Sequence, residues 1–158
     1  MPALNMKAMA AADLEDAFRV LGAFLQTDTH YRDSSATYGD GGAKALRRAL
    51  ALFLERPELG FVWIARDADT AVACCVVCYA LSTAVGGVVA KLDDVYVLPG
   101  REGEGIGSAL ISGLAAELRA QGVHRIDTSC HLENARARTF YLELGFRPLN
   151  EERLALLL

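Results

Sequence analysis

The chain lacks a hydrophobic run long enough to cross a membrane, and it lacks an excess of basic residues. A bilayer span needs about 20 apolar residues, whereas the apolar stretch that begins at Ala71 is only strand-sized. The 16 Lys and Arg against 20 Asp and Glu give a net charge of -4. That balance argues against binding nucleic acid through a basic surface, and it favours a cationic small molecule as partner. The first residues also lack a basic segment followed by an apolar one, so no signal peptide is predicted.

Cysteine is also scarce, and its placement argues against both disulfides and a metal. Three of the four cysteines, Cys74, Cys75 and Cys78, fall in one apolar segment, and Cys130 stands alone. A zinc site is one interpretation of the cluster, but no His or further Cys lies near it in sequence to complete a four-ligand set. The other is that a strand buries the thiols as small hydrophobic groups. We therefore predict no metal, and a reducing, cytoplasmic setting.

A length of 158 residues fits a single domain over 1–158, without repeats of 20 to 50 residues. Apolar periodicity and turn signals predict the elements. The predicted helices are Leu14–Leu25, Leu46–Leu54, Ile106–Leu118 and Asn134–Leu144; the predicted strands are Met6–Met9, Gly60–Arg66, Ala71–Ser82, Val88–Val97, His124–Cys130 and Leu154–Leu158. The segment Thr27 to Gly42 is rich in Thr, Asp, Ser and Gly and is predicted to be a polar loop. Mixed helices and strands indicate an α/β or layered α+β domain around one sheet.

The most informative segment joins a predicted strand to a predicted helix and contains Gly103, Gly105 and Gly107. Glycines at this spacing allow positive φ, so successive N–H groups can form a concavity for an anion at the helix N-terminus. The Gly-x-Gly-x-Gly spacing differs from the Gly-x-Gly-x-x-Gly of dinucleotide folds, and the Lys of a P-loop is missing. A phosphate or pyrophosphate site is predicted, and a flexible turn before a helix is the alternative.

A second motif lies downstream and makes the pattern specific. The order Asn134-x-x-Ala137-x-x-Phe140-Tyr141-x-x-x-Gly145-Phe146 is similar to motif B of the GNAT (general-control-related N-acetyltransferase) family. Gly103-x-Gly105-Ile106-Gly107 resembles motif A of the same family, the acyl-CoA pyrophosphate loop. The order of elements resembles the family across nearly the whole chain.

The resemblance implies a mixed sheet flanked by about four helices, with splayed central strands. It also implies acetyl-CoA as co-substrate and acetyl transfer to a small-molecule amine in a ternary complex. We expect a homodimer. The residues expected to bind the cofactor are Val95, Tyr96, Val97, Gly103, Glu104, Gly105, Ile106, Gly107, Ser108, Asn134, Ala137 and Tyr141.

For catalysis, the resemblance points to Tyr141 as the acid that protonates the CoA thiolate; a role as a core aromatic is the alternative. As the base, Asp93 matches the strand carboxylate that the polyamine acetyltransferase branch uses through water. Asp94 is the next candidate, although strand alternation sends it to the opposite face. His30 and His131 are reserves, because a histidine titrates near neutral pH.

The sequence departs from the family pattern at one point and leaves the acceptor open. The family has Arg or Gln three residues before Gly105, whereas this chain has Glu102 there and Arg101 one place early. Strand patterns around Tyr79–Thr83 and Leu92–Val97 resemble the polyamine (spermidine/spermine and thialysine) branch, which makes a polyamine-like acceptor the first expectation. An amino acid, an aminoglycoside or a protein N-terminus is the alternative acceptor, and a non-catalytic CoA-binding regulator is the alternative function.

Overall fold

The computed structural model describes residues 3–158 and contains one five-stranded sheet with five α-helices. The strands are β1 Leu4–Ala8, β2 Gly60–Asp67, β3 Thr70–Ser82, β4 Gly87–Val97 and β5 Ile126–Thr128; the helices are α1 Leu14–Thr27, α2 Thr29–Tyr38, α3 Gly42–Glu55, α4 Ile106–Ala120 and α5 Ala135–Glu143. The strands lie side by side in chain order. The first three pairs are antiparallel and β4 pairs with β5 in parallel. The predicted mixed α/β class is confirmed.

The sheet is covered on both faces, and strand alternation assigns its side chains to two separate cores. One core packs Cys75 and Val77 against the apolar stripe of α4, which includes Leu110 and Leu114. The other core packs Cys74 against α1 and α3. Burial raises the pKa of both thiols, so they stay neutral. This agrees with the interpretation of these cysteines as small hydrophobic groups. Within residues 3–158, no cluster of His, Cys, Asp or Glu is arranged to hold a metal, and no helix is long and apolar enough for a membrane crossing.

The prediction of a polar loop over Thr27 to Gly42 is wrong, because most of this segment forms α2. The Asp28 carboxylate accepts a hydrogen bond from the Tyr31 N–H at 2.7 Å and so caps the helix. Ser35 is the only buried residue of α2. A helix with so little apolar surface shows no hydrophobic stripe in the sequence, which is why periodicity missed it.

The end of the chain also differs from expectation. Leu154–Leu158 forms no strand, and its four leucines are exposed. The predicted strand over His124 to Cys130 shortens to Ile126–Thr128, because β5 pairs with β4 at three positions only. An apolar sequence becomes a strand only where a neighbour supplies hydrogen bonds and cover. Residues 147–158 have no such neighbour within the described part of the chain.

A buried carboxylate ties the first strand and α1 to the sheet. Asp13 is 4% exposed and accepts a hydrogen bond from the Ala10 N–H at 2.9 Å. It also pairs with Lys7 at 3.0 Å and with Arg66 of β2 at 2.8 Å. Burial alone raises the pKa of Asp13, but these three partners lower it below its ordinary value. The partners therefore satisfy the charge that the fold buries.

We expect Asp13→Ala to lower the free energy of unfolding by about 3 kcal/mol at neutral pH, because it leaves Arg66 without one of its buried partners. Since the folded pKa is lowered, the contribution of Asp13 is present above pH ~4 and is lost as the pH falls through the folded value. Urea unfolding of both proteins at pH 7 and pH 3 measures this, and the difference should shrink at pH 3. Asp69→Ala, in an exposed turn, is the control; an equal effect of both variants would contradict the assignment.

Candidate active site

The site begins where two neighbouring strands separate. The β4–β5 ladder consists of the pairs Ala90–Ile126, Lys91–Asp127 and Leu92–Thr128. Strand β4 continues to Val97, whereas β5 ends at Thr128. The last pair is reinforced by the Thr128 hydroxyl, which donates to the Leu92 carbonyl at 3.0 Å. The predicted splay is therefore present, and it opens a cleft beside residues 93–97.

A β-bulge lies directly beyond the last ladder pair. Asp93 pairs with Val76 of β3 and Tyr96 pairs with Cys74, so two residues of β4 face one residue of β3. Within the bulge, Asp94 has a φ of +52°, a conformation that is uncommon for residues other than glycine. The bulge interrupts strict alternation. The sequence argument that sends Asp94 to the opposite face from Asp93 therefore does not apply at this point.

The environment of Asp94 alters its acidity. Burial is the main cause that raises the pKa of Asp94 to about 6, and the negative charge of Asp93 adds to it. The positive charges of Lys91 and Arg153 act in the opposite direction. Asp93 itself pairs with Lys91 at 3.0 Å, and its side chain is 27% exposed. The cleft thus contains two adjacent carboxyl groups, and the raised pKa of Asp94 lets it take up a proton near pH 6.

Tyr141 approaches the same cleft from α5. Its ring packs edge-on against Phe140 and Phe146, with centroids 5.2 and 5.3 Å away. Burial raises the pKa of Tyr141 to about 12, while the adjacent Thr128 hydroxyl acts in the opposite direction. The phenol is therefore neutral at pH 7 and can donate a proton. The ring is a packed aromatic, as the alternative interpretation held, and its hydroxyl also reaches the end of β5.

The glycine loop lies at the other end of the cleft, between β4 and α4. Gly103 and Gly105 have φ values of +82° and +78°, and Gly105 is the residue directly before the first turn of α4. Ile106 is buried in the core, whereas Glu104 and Ser108 are exposed. The helix therefore begins with exposed backbone groups above a buried anchor, the arrangement that suits an anion.

Gly107 has a packing role that the motif alone does not reveal. A Cβ at this position would lie 3.4 Å from the Phe140 ring and 3.7 Å from Val97. Both distances are ordinary van der Waals contacts, so Gly107 packs between α5 and the end of β4 without a clash that would demand glycine.

The charged residues of the glycine loop already have partners within the protein. The Glu102 carboxylate accepts from the Gly100 N–H at 2.7 Å, and two backbone N–H groups, its own first, lower the pKa of Glu102. Arg101 points away to Asp67 at 2.9 Å and to Glu104 at 2.8 Å. Arg136, on the first turn of α5, is close enough for its charge to act on Glu102. Sequence reasoning gave Arg136 no role.

Asn134 and Ala137 occupy the start of α5. The Asn134 side-chain oxygen accepts from the Ala137 N–H at 3.0 Å, so this pair caps the helix. The presence of Asn at position 134 is therefore explained by its role as the cap of α5. The cap holds the beginning of α5, and with it Tyr141, in place at the edge of the cleft.

The opposite mouth of the cleft is lined by aromatic rings. Phe24 of α1 lies 5.4 Å from the ring of Tyr31 and 5.5 Å from that of Tyr96. Burial, together with the charges of Asp40 and Asp94, raises the pKa of Tyr31 to about 12. Burial also raises the pKa of Tyr38, where Asp94 adds to it and the charge of Arg153 opposes it. The charge of Asp94 thus acts on two tyrosines of α2.

His30 and His131, the other candidate bases, lie together although about a hundred residues separate them in sequence. Their rings are 4.9 Å apart, tilted by 35°. His131 Nε2 is 2.7 Å from the Asp33 carboxylate, and His131 Nδ1 accepts from the Glu133 N–H at 3.1 Å. Both nitrogens of His131 therefore have partners, which argues against its use as the base. No sequence spacing indicated this contact, because α2 was predicted to be a loop.

Comparison with known proteins gives the family. The sequence matches the Acetyltransferase (GNAT) family over residues 24–146. A 63-residue stretch is 43% identical to mycothiol acetyltransferase of Beutenbergia cavernae, and it makes up 38% of this chain and 21% of that protein. The chain therefore spans about a fifth of the length of this relative.

Solved structures share the fold at low sequence identity. A possible acetyltransferase from Clostridium difficile 630 superposes with a TM-score of 0.80 at 15% identity, covering 98% of this chain and 97% of that one. A predicted acetyltransferase from Clostridium acetobutylicum, solved with acetyl-CoA, superposes with a TM-score of 0.69 at 18% identity, covering 96% and 95%. Because the family match covers most of the chain and includes both motifs, the protein belongs to the GNAT acetyltransferase family.

Proposed function

We propose that the protein transfers an acetyl group from acetyl-CoA to a primary amine, directly and within a ternary complex. The observation that carries this proposal is the cleft between β4 and β5. The glycine loop at the N-terminus of α4 lies at one end of this cleft, and Tyr141 and Asp94 lie at the other. The acetyl-CoA in the C. acetobutylicum neighbour and the name of the B. cavernae relative support the same donor and reaction class.

The donor would lie along this cleft. The N–H groups of Gly103 to Ser108 would hold the pyrophosphate, because positive φ at Gly103 and Gly105 turns successive amides toward one concavity. The backbone of Val95, Tyr96 and Val97 lies beyond the last β4–β5 ladder pair, at Leu92–Thr128. The N–H and carbonyl groups of this segment would bind the pantetheine arm, and an N–H would donate to the thioester carbonyl and polarise it. Arg136 adds a positive charge on the loop side.

Acetyl transfer needs a free amine and a protonated leaving group. A carboxylate in the cleft would take one proton from the substrate ammonium, and the amine nitrogen would then attack the thioester carbon. The C–S bond breaks as the new C–N bond forms. The Tyr141 hydroxyl would give its proton to the departing CoA thiolate, which suits a phenol that is protonated at pH 7. The nitrogen of the new amide would lose its second proton, which returns the Tyr141 phenolate to the phenol, and the carboxyl in the cleft would release the first proton to solvent.

Either of two adjacent residues could supply the carboxylate. Asp93, the first candidate from the sequence, pairs with Lys91 and is partly exposed. Burial raises the pKa of Asp94 to about 6, and its charge acts on the tyrosines of α2. A base is most effective when its pKa is near the working pH. We therefore favour Asp94 as the proton acceptor, with Asp93 as the neighbouring charge that raises its pKa.

For the acceptor, we propose a small cationic amine of the polyamine type. Three carboxylates, Asp40, Asp93 and Asp94, act on the tyrosines at the mouth of the cleft, and aromatic faces attract cations. Arg153 is the observation that favours a second candidate: a guanidinium at this mouth suits an acceptor that also carries a carboxylate, such as an amino acid.

A screen of amine acceptors with acetyl-CoA, followed by release of free thiol, tests the function. Diamines and polyamines should give the highest kcat/KM, with amino acids below them. Faster turnover of amino acids would overturn the polyamine assignment and retain the acetyl transfer. Release of no thiol above background with any amine in a broad panel would overturn the enzymatic function itself.

Removal of the Tyr141 hydroxyl should slow catalysis without weakening donor binding. Tyr141→Phe keeps the ring packing and removes the proton donor, so kcat should fall by roughly 10²-fold with the KM for acetyl-CoA little changed. Tyr79→Phe is the matched control, because Tyr79 donates its hydroxyl hydrogen bond to Gln121 outside the cleft. Steady-state kinetics and melting curves of both variants measure this. Turnover within about threefold of the wild type at equal stability would remove Tyr141 from the mechanism.

The pH dependence should identify the base. A carboxyl with a pKa of about 6 accepts protons only above that value, so kcat/KM of the free enzyme should rise with pH through about 6 and then level off. Asp94→Asn should lower kcat by roughly 10²-fold or more. Asp93→Asn, the matched control, removes a charge that raises the pKa of Asp94, so it should move the acid limb to lower pH. A large loss in Asp93→Asn alone would identify Asp93 as the base instead.

Reversal of the charge at Glu102 should strengthen donor binding. Glu102 places a carboxylate on the glycine loop, where it would repel a pyrophosphate and where it accepts the Gly100 N–H. Because the side chain is exposed, Glu102→Arg should tighten CoA binding by roughly threefold to fivefold. Calorimetry of CoA binding measures this, with Glu117→Arg near the far end of α4 as control. Equal affinities of wild type and Glu102→Arg would show that the carboxylate does not face the ligand.

A further inference from the structure

Helix α2 is the least firmly packed part of the acceptor side. It carries Tyr31, which packs on Phe24, and Tyr38, and the charge of Asp94 acts on both tyrosines, yet Ser35 is its only buried residue. The connections on either side are short, with Asp28 alone between α1 and α2 and Gly39 to Gly41 between α2 and α3. Because so little of the helix is buried, its position depends on contacts made by its side chains.

One of those contacts crosses the mouth of the cleft. His131 lies in the loop between β5 and α5, and its Nε2 is 2.7 Å from the carboxylate of Asp33 on α2. The Glu133 N–H donates to His131 Nδ1 at 3.1 Å. That bond leaves the proton of a neutral imidazole on Nε2, from which it is donated to Asp33. The ring of His30, also on α2, stacks at 4.9 Å and adds to the contact.

We propose that Asp33 and His131 are positioning residues that latch α2 across the mouth of the cleft. The proposal rests on the proposed function in one respect, because α2 is taken to form the wall against which the acceptor binds. The latch joins that wall to the loop from which α5 begins. It thereby fixes the tyrosines of α2 relative to Asp94 and Tyr141, the two groups between which the amine must lie.

The exposure of the two side chains sets how much the Asp33–His131 contact contributes to stability. Asp33 is 73% exposed and His131 is 17% exposed at the side chain. A hydrogen bond with one exposed partner contributes little to global stability, but α2 has few other contacts to hold it. Loss of the latch should therefore change the local opening of α2 by about threefold to fivefold without changing the melting temperature.

Two measurements on the full chain test the latch. Hydrogen–deuterium exchange should become about threefold to fivefold faster over residues 29–38 in Asp33→Ala and in His131→Ala, with α4 unchanged. In steady-state kinetics, the KM for the acceptor should rise by a similar factor, with kcat and the KM for acetyl-CoA unchanged. Asp33→Asn keeps an oxygen that accepts from Nε2 and should restore wild-type behaviour. His124→Ala is the matched control for the loss of a histidine elsewhere.

The outcomes separate the latch from the proposed function. Unchanged exchange over α2 in both alanine variants would overturn the latch. Faster exchange with an unchanged acceptor KM would overturn the positioning role. If the wild type acetylates no amine, the proposed function fails, and the exchange data alone still decide whether the contact holds α2.

Discussion

The early end of the β4–β5 ladder determines where every part of the site lies. Parallel pairing stops at Leu92 and Thr128, and the Thr128 hydroxyl closes that end by bonding the Leu92 carbonyl. Beyond it, β4 runs on to the glycine loop without a neighbour on its β5 side in residues 3–158. Backbone groups that a longer β5 would have bonded remain available to a ligand. The same separation leaves room for the Tyr141 side chain to reach the end of β5.

The bulge beside the splay adds the second constraint. It places Asp94 in a left-handed conformation at a partly buried position, and strained backbone of this kind is costly unless its surroundings hold it. The β3 partners on either side, Val76 and Cys74, are both buried. The rigid sheet thus supports a carboxyl whose charge is unfavourable where it lies, and a cationic acceptor would relieve that cost.

The sequence predicted those features that depend on local pattern. The helical stripe of α4 and the positive φ of Gly103 and Gly105 are encoded within a few residues, and both were predicted correctly. Gly107 was expected to share that conformation but lies inside α4, where its φ is not positive. The missed features depend on distant contacts or on surface helices. Helix α2 has no apolar stripe, the bulge at Asp94 depends on β3, and His131 meets Asp33 only after the sheet has formed. The predicted strand over Leu154–Leu158 was wrong because apolar character alone does not supply a pairing partner.

The catalytic roles depend on more than pattern. Tyr141 and Asp93 were chosen by resemblance, and the structure adds surroundings that the sequence could not give. The phenol of Tyr141 lies beside Thr128 with its pKa raised by burial, and burial together with the charge of Asp93 raises the pKa of Asp94. Electrostatic environment is set by burial and by charges from several elements, so a single strand pattern cannot assign a base.

A crystal structure of the protein with CoA tests the central claim most directly. The account predicts that the pyrophosphate lies within hydrogen-bonding distance of the N–H groups of Gly103 to Ser108, with the thiol end in the cleft between Val95–Val97 and Tyr141. A CoA molecule bound elsewhere, or a cleft closed by a longer β4–β5 ladder, would contradict it.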